Sequence, residues 1–411
     1  MRITKWVLAS LLLLIIAAGT QAQSDWTQWG GPNRDFVINS KGLAATWPAT
    51  GPKQLWSRPL GAGHSAILAS GNTLYTTYGV DEQEVVIALA ADTGKTSWEH
   101  KYASPSAGMN YEYGIGPHAT PLLVGDLLYS VGATGKLFAL DKKTGKVAWS
   151  HDLWKDFGGR KMDRGYSCSP IAYKNTIILT LGGQGQTLIA FNQKDGSVAW
   201  KNQTLDMSPS SPIIVNVDGQ DQLIMFLGKV VAGLDPNNGN LIWTHPHVTE
   251  WGLNISVPVW GKDNLLFISS AYSGGSRVLK LGQKGGKMSV EEVWASRRMR
   301  LHHGTAIRIG DYVYGSSGDF GPAFFAAVNV KNGEIAYQDR TFPKSNLILA
   351  GERLIILDED GNLALATATP TELKVISKVS VLKNLAWTVP TLAGTKLYLR
   401  DRRTITALDL S

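Results

Sequence analysis

The stretch ALDKKTGKVAW, residues 139–149, recurs along this chain with its skeleton intact: ALAADTGKTSW at 88–98, AFNQKDGSVAW at 190–200 and GLDPNNGNLIW at 233–243. Its parts read as a hairpin. An apolar pair such as Ala139-Leu140 ends a buried strand, and an Asp or Asn accepts hydrogen bonds from turn amides. A Gly supplies the positive φ of a tight turn, and the next strand ends on an aromatic. The repeat glycines are Gly94, Gly145, Gly196, Gly239 and Gly333. The closing aromatics are Trp98, Trp149, Trp200, Trp243, Trp294 (a stretched copy) and Tyr337, successively 51, 51, 43, 51 and 43 residues apart. That period suits a four-stranded propeller blade of about 40–50 residues. Each such sheet buries its faces only against neighbours, so the unit must recur, and the indole is large enough to cover the seam.

A second recurrence precedes the first in each period. Short polar-small motifs lead into β-like runs: His64-Ser65-Ala66, His118-Ala119-Thr120-Pro121, Ser167-Cys168-Ser169-Pro170, Ser210-Ser211-Pro212, Ser256-Val257-Pro258, His303-Gly304-Thr305-Ala306 and Thr388-Val389-Pro390, with Pro343-Lys344-Ser345-Asn346 a degraded copy. These are eight inner-strand starts. The last repeat, Ala407-Leu408-Asp409-Leu410-Ser411, stops where its final strand should follow, and Lys53-Gln54-Leu55-Trp56-Ser57 supplies a match. The chain therefore reads as all-β, an eight-bladed β-propeller of four-stranded antiparallel blades, with the ring closed by N- and C-terminal strands. Seven blades is the alternative. Trp56, Trp98, Trp149, Trp200, Trp243 and Trp294 are expected to dock blade on blade.

The 411 residues carry a formal net charge of +7 and 44 glycines, with 44% hydrophobic residues, the composition of an ordered, turn-dense protein. Arg2 and Lys5 precede the apolar run WVLASLLLLIIAAG and the small-residue site Thr20-Gln21-Ala22. Residues 1–22 thus read as a cleavable signal peptide, 23–51 as a lead-in segment and 52–411 as the propeller. The expected location is periplasmic or secreted, with no transmembrane span after cleavage, no lipid-anchor cysteine and no nucleic-acid partner. The expected oligomeric state is a monomer. Two short basic runs, 297–300 and 400–403, read as solvated loop faces. Cys168, alone in the chain, sits between serines in an apolar pattern and reads as a small buried residue.

The A-x-D-x-x-T-G-x-x-x-W pattern resembles the tryptophan-docking repeat of pyrroloquinoline-quinone (PQQ) propellers. That group includes quinoprotein alcohol dehydrogenases, which bind quinone and calcium, and the BamB-type outer-membrane assembly lipoproteins, which keep the propeller without the cofactor. The opening Trp26-Thr27-Gln28-Trp29-Gly30-Gly31-Pro32-Asn33-Arg34-Asp35 is similar to the lead-in of exported bacterial proteins with such repeats. The resemblance spans nearly the whole chain after the leader. One cysteine cannot form the adjacent-cysteine disulfide of the dehydrogenases, and no residues map onto their calcium ligands or catalytic aspartate.

Polar and aromatic residues gather just before several inner strands, where they converge on one mouth of the ring. The candidate ligand or partner mouth comprises His64, Tyr113, His118, Arg164, Tyr166, Trp251, Asn254, His302 and His303, with Tyr111, Glu112 and Asp163 nearby. The plainer alternative is channel lining. Adjacent His302 and His303 point oppositely in an extended strand, so one is expected to face the channel. No metal or catalytic residue is assigned, and Asp358-Glu359-Asp360-Gly361-Asn362 reads as a hairpin turn rather than a calcium loop. The residues favour a non-catalytic, cofactor-free scaffold that binds a cell-envelope protein or small ligand. The alternatives are a dehydrogenase using PQQ with calcium, and a polysaccharide- or peptide-binding module.

Overall fold

A computed structural model of the chain describes residues 25–110, 112, 116–319, 321 and 323–411. The leader at 1–22 lies outside the described residues. Eight antiparallel sheets follow one another around a ring, and the described residues contain no helix. Blade 1 shows the plan: Leu68–Ser70, Thr73–Val80, Gln83–Ala90 and Thr96–Ala103, from the channel outward. Blades 2 to 7 span 122–152, 171–202, 213–246, 259–296, 301–339 and 345–380. Blade 8 has three strands from the C-terminus, Thr391–Ala393, Lys396–Arg400 and Thr404–Asp409, and takes its outermost strand, Lys53–Pro59, from the other end of the chain. Trp56 stands opposite Ala407, as Trp98 stands opposite Ala88 in blade 1. Eight blades and a two-ended closure are what the repeat implies.

Burial explains the strand sequences. Middle strands such as Gln83–Ala90 are covered on both faces by neighbouring blades and read as continuous apolar runs. Outer strands such as Thr96–Ala103 alternate half-buried with exposed residues. The seam is made by the repeat itself. The indoles of Trp56, Trp98, Trp149, Trp200 and Trp294 lie on Gly94, Gly145, Gly196, Gly239 and Gly333 of the next blade, where a Cβ would come within 2.5–2.8 Å of the ring. Four of these indoles also donate Nε1–H to the carbonyl three residues before that glycine: Ala91, Lys142, Gln193 and Val330, at 2.8–3.0 Å. Trp200 stacks but leaves Nε1 without a partner among the described residues.

Trp243 departs from the expected docking. Its strand partner is Gly233, where the other blades with a closing Trp have Ala or Val, so the indole folds across its own sheet and donates to Gln222 Oε1 at 2.7 Å. The basic run at 400–403 also differs from a solvated face. Arg400 is buried and donates to the Ser65, Thr77 and Gly61 carbonyls, tying blade 8 to blade 1.

The polar-small motifs form a second belt, around the channel. Backbone N–H groups of Ala66, Thr120 and Ser169 donate to Thr120 Oγ1, Ser169 Oγ and Ser211 Oγ on the following blade, each at 3.0 Å. Ser210 Oγ reaches Ser256 O, Leu301 N reaches Ser269 Oγ, and Leu347 N reaches Thr305 Oγ1. Asn346 Nδ2 donates to Trp387 O, and Thr391 Oγ1 to Ile67 O, completing the circle. The backbone leading into the inner strands has no ladder partner on that side, and hydroxyls of neighbouring blades pair with part of it.

The lead-in closes one end of that channel. Trp26 exchanges backbone bonds with Ala69, Leu123 N donates to Thr27 O, and Leu349 N to Phe36 O. Val37–Ile38 adds a parallel fifth strand to the inner edge of blade 7. Arg34 is buried at the centre. It donates through Nε to Pro212 O (2.9 Å) and through Nη1 to Pro170 O (3.0 Å), bridging blades 3 and 4. Burial lowers its pKa to about 10, which keeps it charged at neutral pH.

Two substitutions test this frame. Gly145→Ala, at φ 71° with Trp98 against the new Cβ, should cost about 3 kcal/mol in urea unfolding. Gly125→Ala, at φ 57° with open space around it, should cost about 1 kcal/mol. Arg34→Met should destabilise by about 2–4 kcal/mol. It should also speed amide exchange at Ala69, Leu123 and Leu349 together, while the middle strands stay protected.

Candidate functional site: a blind funnel at one mouth of the ring

With one end plugged, the channel is a funnel of about 1140 Å³ that opens where the inner strands begin. Trp29, on the lead-in, lines it. Its wall carries a chain of rings in mutual contact. Trp251 meets Tyr272 (centroids 4.9 Å), Tyr272 meets His302 (5.0 Å), and His302 meets His303 (4.8 Å). His303 meets Trp387 (4.4 Å), Trp387 meets His64 (5.5 Å), and His64 stacks on His118 at 5.5 Å with ring planes 9° apart. The arc runs from the loop before blade 5 through blades 6 and 8 to blade 2.

The His118, His302 and His303 imidazoles are neutral at pH 7. Burial is the main cause, taking His118 and His302 to about 4 and His303 well below its usual 6.5. A hydrogen bond to the Arg164 backbone opposes the shift at His118, and the Lys344 charge adds to it at His302 and His303. The Tyr272 hydroxyl and His302 Nε2 hydrogen-bond. His302 Nδ1 and both nitrogens of His303 are buried without a hydrogen-bond partner among the described residues, as is Trp29 Nε1.

Tyr272 is held at a cost. It and Ser273 lie at φ 52° and 66° in the hairpin turn after Leu265–Ser270, a conformation that costs a non-glycine residue about 1–3 kcal/mol. Glu250 N donates to Tyr272 O at 3.0 Å, Tyr272 N to Asp319 Oδ2 at 3.3 Å, and two rings press on its side chain. Charged groups ring the opening. Lys229 and Arg160 pair with Asp206, Arg300 pairs with Asp319, and Lys344 stands 5.9 Å from the Trp387 ring.

The sequence-selected residues divide. His64, His118, Arg164, Trp251, His302 and His303 line the funnel. Tyr166 and Asn254 stand behind its wall. The Tyr166 hydroxyl donates to Thr180 O, and Asn254 Nδ2 to Leu227 O, each inside the blade packing. Tyr113, like Tyr111, lies outside the described residues. Both His302 and His303 face the funnel, because the pairing of blade 6's first two strands shifts register between Leu301 and Ala306 and breaks the alternation. Trp387, Tyr272, Lys344, Asp319 and Trp29 also line the site but were not singled out from sequence. Trp387 directly precedes an inner-strand motif, so the same rule reaches it. Tyr272 sits in a hairpin turn and carries no such signal.

Comparison with known proteins yields a matching family, and its relatives include two with described roles. The sequence profile described as "Outer membrane protein assembly factor BamB" matches residues 82–339. The outer membrane protein assembly factor BamB of Yersinia pestis is 24% identical over 226 residues, 51% of this chain and 53% of that protein. Quinoprotein alcohol dehydrogenase PedH of Pseudomonas putida is 28% identical over 148 residues, 32% of this chain and 23% of that protein. This chain thus spans about half of one relative and a quarter of the other. Among solved structures, BamB from Moraxella catarrhalis superposes with a TM-score of 0.59 at 15% identity, covering 87% of this chain and 99% of that one. The quinohemoprotein alcohol dehydrogenase of Comamonas testosteroni gives 0.63 at 14%, covering 96% and 81%. At these identities the likeness is one of fold.

The lowered histidine values have a thermodynamic consequence. Between about pH 6.5 and pH 4 the unfolded chain binds protons at these histidines that the folded chain refuses, so stability should fall as pH drops through that window. His302→Phe and His303→Phe should each flatten this fall, read as Tm against pH.

Proposed function

We infer, from the premise that this chain belongs to the family described as outer membrane protein assembly factor BamB, that it is a non-catalytic binding scaffold of the bacterial cell envelope. The blind funnel carries the reading. A closed floor, an arc of touching rings and a strained, clamped Tyr272 make a shaped receptor, and a mere axial hole needs none of them. The exposed side chains of Val248 and Trp251 extend its lip and offer an apolar contact for a protein partner. The expected setting is the compartment inside the outer membrane, reached through the N-terminal leader.

A quinone with calcium, the cofactor pair of the dehydrogenase relatives, finds a poor donor set here. Calcium asks for about six to eight oxygens around one point, usually with carboxylates among them. Among the described residues no three His, Cys, Asp or Glu side chains converge in that way. Asp206 and Asp319, the funnel carboxylates nearest to cations, are engaged by Lys229 and Arg300. Cys168 is buried, and burial raises its thiol pKa. These observations favour the scaffold over the dehydrogenase.

Photo-cross-linking in cells tests this. A cross-linker at Val248 or Trp251 should capture an outer-membrane assembly partner, while one at Val147 on the outer wall should not. The purified protein mixed with quinone and calcium should give no alcohol-dependent dye reduction. Turnover there, or capture independent of the lip, would overturn the scaffold reading.

A further inference from the structure

We propose that the rim of the funnel between blades 5 and 8 docks an acidic segment of a protein partner, with Arg402 and Arg403 taking a carboxylate. The step rests on the scaffold reading and names the partner's chemistry. In the run Arg400-Asp401-Arg402-Arg403 the first two residues are buried and their opposite charges offset each other. The Asp401 carboxylate is engaged further by Asn384 N and Nδ2, by Arg403 N and by Thr404 N and Oγ1, at 2.7–3.2 Å. The Arg402 and Arg403 guanidinium groups are not among its donors. They form no ion pair or hydrogen bond among the described residues, and they line a hollow of about 350 Å³ with Ala62, Asn384 and Leu385.

The same imbalance continues along this side of the rim, in the loops that carry the chain from one blade's outer strand to the next blade's inner strand. Arg297 and Arg298, in the loop entering blade 6, are exposed and likewise without an ion pair among the described residues. Lys344 enters blade 7 at 5.9 Å from the Trp387 ring, and Lys383 is exposed in the loop entering blade 8. The carboxylates that could balance these cations are largely engaged. Asp319 accepts from Arg300 and from Tyr272 N, and Glu359 accepts from Trp387 Nε1 at 2.9 Å. Asp360 is exposed and offsets one of the charges. His302 and His303, which lie between them, are neutral and offset none.

Position selects the occupant. A guanidinium fork matches a carboxylate with two parallel N–H···O bonds, and uncompensated cations at a rim draw in a partner of opposite charge. Apolar surface lies beside them: Leu385 in the hollow, Trp387 on the funnel wall, and Val248 and Trp251 on the lip. A protein segment that mixes acidic with apolar residues meets both features, whereas a bare anion meets the first alone. An anionic bilayer is flat and would cover the whole mouth. It would then face Asp163 and Glu250, exposed on the far side of the opening, where Asp206 already holds Lys229 and Arg160. A segment lying along one side avoids them.

The test is fluorescence anisotropy of the full chain with a labelled octapeptide of alternating glutamate and leucine, beside its lysine–leucine counterpart and phosphatidylglycerol vesicles. The acidic peptide should bind and the basic one should not, and binding should weaken as salt is raised. Arg402→Ser with Arg403→Ser should weaken it about tenfold, and Arg297→Ser with Arg298→Ser about threefold. Lys143→Ser with Lys146→Ser removes the same charge from an exposed turn at the closed end of the ring and should leave the affinity unchanged. An unchanged Tm identifies the folded variants. Failure of the acidic peptide to bind, equal losses in the arginine and lysine variants, or vesicle binding that depends on the arginine pairs overturns the proposal. Partner capture at Val248 or Trp251 that survives Arg402→Ser with Arg403→Ser undiminished also overturns it, and leaves the scaffold standing. Alcohol-dependent turnover with quinone removes both.

Discussion

An indole lying flat on a glycine is the contact from which the rest of this molecule follows. Each such glycine turns at positive φ and leaves no room for a Cβ, because the preceding blade's tryptophan occupies that space. The same indole donates to a carbonyl of the same turn, so one side chain fixes both the distance and the rotation between neighbouring blades. Repeated around the ring, the contact sets the angle at which blades meet, and hence the width of the channel. The hydroxyl belt then fastens the inner edges at that width. Where Gly233 replaces the usual Ala or Val beneath the indole, Trp243 leaves the seam, yet the ring still closes because the remaining contacts determine its shape.

What was legible in the sequence was what repeats. Gly145 and Trp149 announce a hairpin and a seam because their roles are local and recur at a fixed spacing. The truncated final repeat announces ring closure for the same reason. Arg34 gave no comparable signal. It bonds to the Pro170 and Pro212 carbonyls, and a carbonyl has no residue signature. The position of His302 beside His303 in the funnel depended on a register shift, which alternation alone does not foresee. Arg400 looked like part of a surface charge run and is instead a buried clamp, because the strand ends there against blade 1. Tyr272 occupies a turn position where glycine or asparagine would be relaxed. Its contacts with Trp251, His302 and Asp319 come from other parts of the chain.

The frame and the funnel divide the physical work. Seams and belt are held by recurring hydrogen bonds and buried carbon, while the funnel brings neutral histidines and a strained turn together at one mouth. Such features persist where the surrounding structure over-determines them. A ring of eight mutually braced sheets is suited to that, because relaxing one funnel residue disturbs packing that neighbouring blades hold in place.

The strand Lys53–Pro59 pairs with Thr404–Asp409, so nearly the whole length of the chain separates the two sides of one sheet. A chain synthesised from its N-terminus therefore holds this strand without a partner until residues 404–409 emerge. Loop closure over such a span is slow, and an unpaired strand edge is open to wrong partners meanwhile. The lead-in faces the same delay on blades 7 and 8, whose Leu349 and Gly394 it meets only late. Ring closure thus hangs on Thr404–Asp409: a product truncated before residue 404 keeps its repeats but exposes an unsatisfied edge at blade 8.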